Sequence, residues 1–311
     1  MAHFQSSRLL SPSGADLHVL TLRPKGAPKA IVHINHGMSE HAQRYERFAR
    51  ALVKNGYVAV AHDHRGHGLT RAPDAVLGRY ADTDGFDKVM QDVTAVNTSV
   101  RGDFPGVPLV CFGHSMGATI ALNFALRHPD LVDGLASWNN GAEGGGLLKF
   151  FRFLLGPEKR VKGKSAASWL AIIVTFAAWN KAFKPNRTDF DWLSRDTDEV
   201  DKYINDPLCG FLISISLWQD LTGAIGTAAD DKNLKALADK LPVHLLGGGA
   251  DPCTGKGKHM VRLGARLKAA GLSDVTVSVP ADTRHECLNE VNRDAITDDF
   301  IEWLNARFGG A

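Results

Sequence analysis

The sequence predicts an α/β fold: a mostly parallel, doubly wound sheet with a helical cap inserted between two of its strands. Three observations predict it. Short apolar, β-branched runs alternate with amphipathic helical stretches, the pattern of parallel strands covered on both faces. One of these runs leads through a Gly-x-Ser-x-Gly pentapeptide directly into a helical stretch. The alternation then lapses between residues 139 and 225 and resumes at Val243.

Taken in chain order, the apolar runs place strands at 17–22, 30–35, 57–62, 109–112, 134–138, 243–247 and 275–279. The 3.6-residue periodicity places helices at 43–55, 85–101, 116–127, 256–270 and 291–307. Asn55-Gly56 and Ala270-Gly271 supply the glycine stop expected at two helix ends. The cap opens on Gly141, Gly144, Gly145 and Gly146. Apolar helical stretches follow at 147–155 and 166–183, then an acidic, turn-rich segment at 189–206, and a last helix at 211–221. The expected division is a core of residues 1–138 and 226–311 around a cap of residues 139–225.

Composition narrows the function. A chain of 311 residues with 44% hydrophobic content builds a sizeable core, and a net charge of +2 gives no nucleic-acid footprint. Cys111, Cys209, Cys253 and Cys287 have no paired spacing, which suits a reducing compartment. Cys253 and Cys287 lie two residues beyond Asp251 and His285 and read as small apolar fillers. No basic segment followed by an apolar core opens the sequence, so no signal peptide is expected. The longest uncharged run, 165–180, falls short of the roughly 20 residues of a spanning helix. A soluble, cytoplasmic protein is expected.

The pentapeptide is Gly113-His114-Ser115-Met116-Gly117. Strand, pentapeptide and helix in that order put Ser115 on a sharp turn, where a side chain on either glycine would collide with its neighbours. A serine hydroxyl is a poor nucleophile at neutral pH and needs a base beside it. In a parallel sheet, the base and its acid partner belong at the carboxyl ends of late strands. Asp251 fits, because strand 243–247 runs into Gly248-Gly249-Ala250-Asp251 and Pro252 stops further pairing. Asp282 is the runner-up acid, but it lies too close to the candidate histidine in sequence. Position after the last strand selects His285 from 13 histidines. The expected roles are nucleophile for Ser115, base and acid for His285, and orienting carboxylate for Asp251. The oxyanion donors are expected to be the backbone N–H groups of Met116 and of Met38, in the loop after strand 30–35.

Five motifs then fall in one order: His36-Gly37-x-x-Glu40-His41, Asp63-x-Arg65-Gly66-His67-Gly68, Gly113-His114-Ser115-Met116-Gly117, Asp251-Pro252 and Arg284-His285-Glu286. With Asp206-Pro207-Leu208, the chain resembles the monoacylglycerol lipase and lysophospholipase branch of the α/β-hydrolases, also called serine-aminopeptidase-like. That resemblance implies an α/β-hydrolase fold and cofactor-free hydrolysis of glycerol monoesters or related lipid esters. It also implies the same triad and oxyanion donors. Thr70 stands where the branch often has serine.

His62-Asp63-His64-Arg65-Gly66-His67 invites a metal reading through its strand-end pair at i and i+2, but the acidic ligand expected near His67 is missing. The stretch around Gly255-Lys256-Gly257 fails the phosphate-loop pattern. No cofactor and no metal is therefore expected, and the partner is a small acyl ester. Phe150, Phe153, Trp169, Ile172, Ile173 and Phe176 load the cap with apolar surface, flanked by Lys149, Arg152, Lys159, Arg160, Lys162 and Lys164. Packing on one another and on the core while lining an acyl-chain tunnel is the expected role, ahead of transient contact with anionic lipid. Two alternatives keep the scaffold. An aminopeptidase would need cap carboxylates such as Glu143, Asp189, Asp191, Asp196 or Asp198 to hold the substrate amine. A ligand receptor would need a lost triad member.

Overall fold

The computed structural model describes residues 3–141 and 143–310. Eight strands form one sheet: β1 (Gln5–Leu10), β2 (Asp16–Leu22), β3 (Ile31–Asn35), β4 (Val58–His62), β5 (Leu109–His114), β6 (Gly134–Trp138), β7 (Val243–Leu246) and β8 (Val275–Ser278). Their order is β1-β2-β4-β3-β5-β6-β7-β8. From β4 to β8 every pairing is parallel, while β2 runs antiparallel to β4 and β1 antiparallel to β2.

Five helices come from the expected alternation: α1 (Glu46–Lys54), α2 (Gly85–Asp103), α3 (Met116–Arg127), α10 (Lys258–Ala269) and α11 (Arg293–Phe308). Between β6 and β7 lie α4 (Gly146–Lys162), α5 (Trp169–Ile172), α6 (Ala178–Asn180), α7 (Thr197–Asn205), α8 (Ile215–Ala228) and α9 (Asp231–Leu234).

The period-two geometry of a strand sorts the core into two layers. Leu109 and Cys111 of β5 face the layer built with α2, α3, α8 and α10. Val110 and Phe112 face the layer built with α1 and α11. Both faces are covered, so the central strands are buried along their whole length and mostly apolar, readable as near-continuous runs.

The structure differs from the sequence expectation at several elements. Strand β1 was not expected, because Gln5–Leu10 is an exposed edge strand with no buried face to impose an apolar pattern. Helix α7 falls within the segment read as turns. The Asp196 carboxylate caps it by accepting from Asp198 N–H and Glu199 N–H, and the acids at its start favour the helix N-terminus. Helix α4 runs on past Pro157 to Lys162 rather than ending near 155. Residue 225 lies inside α8, which packs on both α3 and α4. Among the described residues, no helix is long and apolar enough to cross a membrane.

Candidate active site

Ser115 sits between β5 and α3 with φ +55° and ψ −116°, a conformation that side chains adopt only under constraint. The constraint is steric. A Cβ on Gly113 would strike the backbone of Gly117, and one on Gly117 would strike the carbonyls of Asn35 and His36. Only glycine at both positions lets strand, turn and helix close so tightly.

Asp251 follows β7 and His285 follows β8. The structure brings both to Ser115. The Ser115 Oγ lies 2.9 Å from His285 Nε2, and His285 Nδ1 lies 3.0 Å from Asp251 Oδ2. Asp251 is wholly buried. Burial opposes its charge, but His285 and hydrogen bonds from Asn139 Nδ2 and Cys253 N–H, each 2.9 Å, hold its pKa below the usual carboxylate value. The fourth participant, Asn139, is itself at φ +51° at the end of β6, and its Oδ1 accepts from the Cys287 thiol at 3.0 Å. All four cysteines are free.

Met38 lines the same cavity as Ser115, and Met116 follows Ser115 as the first residue of α3. Among the described residues, neither N–H donates a hydrogen bond within the protein. The Met116 sulfur is occupied elsewhere, accepting from the Tyr80 hydroxyl at 2.8 Å.

A second polar network supports the first. Glu40 accepts from Gly37 N–H at 2.6 Å and from Tyr45 Oη at 2.8 Å, which fixes the loop that carries Met38. Arg44 bridges Glu40, at 2.6 Å, to Glu286, at 2.6 and 2.7 Å. Burial works against these charges. The Arg44 guanidinium still holds Glu40 well below its ordinary value, and the two carboxylates push Arg44 well above its own. His114 donates to the His285 carbonyl across 2.9 Å. Burial disfavours its charge, yet the neighbouring Glu40 raises its pKa from the ordinary value.

The segment around Trp192 closes the site. Its ring centroid lies 4.8 Å from that of His285. Its carbonyl accepts from His285 N–H at 3.4 Å, and the Leu193 carbonyl accepts from Glu286 N–H at 2.7 Å.

A cavity of about 510 Å³ opens over Ser115 and His285. Ile172, Phe176, Trp192, Leu193, Phe211, Leu212, Ile213 and Trp218 give it apolar walls. Ser39, Glu40, His114, Tyr203 and Glu286 supply polar groups. Sequence reasoning missed Asn139, Arg44 and Trp192 as parts of the site. The available signals were slight: an Asn pair at a strand end, an i,i+4 Glu–Arg spacing, and one tryptophan in a turn-rich segment.

Residues 26–292 match the family described as "Serine aminopeptidase, S33". The chain belongs to that family. Its relatives include the monoglyceride lipase of Homo sapiens, 28% identical over 96% of this chain and 90% of that protein. The monoacylglycerol lipase of Mycolicibacterium smegmatis is 23% identical, over 90% of each chain. Among solved structures, a thermostable carboxyl esterase from Bacillus coagulans, in complex with glycerol, superposes with a TM-score of 0.88. It is 24% identical, over 98% of this chain and 99% of that one. A soluble variant of monoglyceride lipase from Saccharomyces cerevisiae, solved with a substrate analog, gives 0.76 at 17% identity, over 100% of this chain and 96% of that one. These likenesses bear out the α/β-hydrolase fold and the resemblance drawn from the motifs.

Proposed function

We propose that this protein is a serine carboxylic ester hydrolase acting on monoacylglycerol, lysophospholipid or similar single-chain acyl esters. The observation that carries this reading is the hydrogen-bonded line Ser115–His285–Asp251 at the base of an apolar-walled cavity. His285 Nε2 takes the Ser115 proton as Oγ attacks the ester carbonyl. Asp251 holds the imidazole through Nδ1 and stabilises the imidazolium. The developing oxyanion is received by the uncommitted N–H groups of Met38 and Met116. His285 then protonates the leaving alcohol, and water repeats the cycle on the acyl-enzyme. No step calls for a cofactor.

Residues 139–225 act as the cap in this reading. Ile172 and Phe176 face the acyl chain, and Glu40, Tyr203 and Glu286 suit a hydroxyl-bearing leaving group. The substrates in the relatives' names, monoglyceride and monoacylglycerol, fit such a site. Other cap residues point outward: Phe153 is 70% exposed, Val161 85% and Trp169 59%, on a surface that also carries Arg152, Arg160 and Lys162. That surface suits transient contact with anionic lipid. Failure to co-sediment with anionic liposomes at low salt would remove this part of the reading. The four free cysteines support a cytoplasmic location.

Among the described residues, most of the cap carboxylates are engaged elsewhere, which weighs against the peptidase alternative. Glu143 is bound to Arg262, Asp191 to Thr188, and Asp196 to Arg293 and the start of α7. Asp189 lines the cavity but is exposed. A receptor on a spent scaffold would not need an intact relay.

Hydrolysis of p-nitrophenyl esters from acetyl to palmitoyl, then of 1-monoacylglycerols, tests the proposal. The expected result is a rate maximum at a medium or long chain that is lost in Ser115→Ala. Activity confined to the acetyl ester would leave the relay standing and reject the lipid substrate.

A further inference from the structure

Three metal-binding side chains of different chemistry meet where the loop after β3 touches the segment after α7. His41 Nε2 lies 2.9 Å from Asp206 Oδ2. The Cys209 sulfur joins them, and the three donor atoms lie within 4.8 Å of one another. His41 is 8% exposed and Cys209 9%. Cys209 carries a free thiol.

The arrangement is held by contacts outside the three side chains. Asp206 Oδ1 accepts from Leu208 N–H at 2.8 Å, and Cys209 N–H donates to the Asp206 carbonyl at 3.0 Å. This turn brings Asp206 and Cys209 to the same spot. Gly210 N–H and Tyr203 Oη donate to the Ser39 carbonyl at 2.9 and 3.0 Å, which joins the turn to the loop bearing His41. A site assembled from two segments and fixed before binding loses little freedom on taking a ligand.

We propose that His41, Asp206 and Cys209 form a binding site for a zinc-like divalent cation. An imidazole nitrogen, a carboxylate oxygen and a thiolate are the ligand types of zinc and cobalt rather than magnesium or calcium. In a tetrahedral zinc site, bonds of about 2.0–2.3 Å place neighbouring donors about 3.3–3.8 Å apart. The His41–Asp206 separation of 2.9 Å and the 4.8 Å bound on all three donor pairs bracket that range. Three protein ligands leave a fourth position for water. Binding replaces the S–H bond of Cys209 with a metal–sulfur bond and releases one proton to solvent, so affinity rises with pH. The cation would pin the loop that carries Met38 to the segment that forms one wall of the cavity. The site is separate from the Ser115 relay, and the proposal does not depend on the ester-hydrolase reading.

The test is cobalt(II) titration of tag-free full-length protein, followed by its visible spectrum and near-ultraviolet thiolate charge-transfer band, with zinc as competitor. One cobalt per chain with a charge-transfer band is expected, tightening about tenfold per pH unit below the thiol pKa. Cys209→Ser should abolish the band, and the near-isosteric Asp206→Asn should weaken binding at least tenfold. Zinc should raise the thermal midpoint of the wild type but not of Cys209→Ser. Asp251, Cys253 and His285 also lie within 4.8 Å of one another and provide the control. A band that survives Cys209→Ser and vanishes in Cys253→Ser would overturn the proposal, as would the absence of a band in the wild type.

Discussion

Ser115 is held in a backbone conformation that favours glycine, and its neighbours explain why it stays there. The residues facing it are equally constrained. Asp251 takes one hydrogen bond from His285, one from Asn139 and one from its own loop, leaving the imidazole a single working tautomer. Asp251→Asn should keep the fold and lower kcat by about 10⁴-fold, since the amide favours the wrong tautomer. Steady-state kinetics alongside circular dichroism would check this, and a loss under tenfold would deny Asp251 its role. The meeting of Ser115, Asp251 and His285 was legible in the sequence because each lies in the turn or loop that follows a strand, where a parallel sheet gathers its functional groups. Asn139 was not, because its contact with Asp251 spans 112 positions and leaves no local pattern.

The elements differ in how their support can be read. Helix α3 and the parallel strands declare themselves through apolar runs. Strand β1 and helix α7 do not, because one is an exposed edge and the other depends on its cap. The tie between the loop after β3 and the loop after β8 is also non-local. It runs through Glu40, Arg44 and Glu286, whose motifs were visible but whose contacts were not. Removing one partner leaves buried charge uncompensated. Glu40→Gln should therefore cost about 3–5 kcal/mol in urea unfolding. It should also reduce kcat, because Glu40 fixes the peptide next to Met38. Wild-type stability in this variant would show the bridge to be dispensable.

At the scale of the whole molecule, buried histidines set the response to acid. Burial pushes His33, His67 and His244 down to about 3, and His36, His62 and His64 are also lowered. The unfolded chain takes up protons near pH 6.5, while the folded one keeps these rings neutral. For His33, His67 and His244 this contribution is complete above pH 6.5 and is lost as the pH falls toward 3, at about 1.4 kcal/mol per pH unit for each ring. The thermal midpoint should be nearly flat from pH 7 to 8 and fall steeply below pH 6. A midpoint unchanged down to pH 4.5 would contradict this burial. The central claim is that the folded chain delivers an acyl group to Ser115. Rapid quench of wild-type protein with p-nitrophenyl decanoate, followed by peptide mass spectrometry, tests it most directly. One decanoyl group on the peptide containing Ser115 is the predicted result. Product release with acylation at another residue would contradict it.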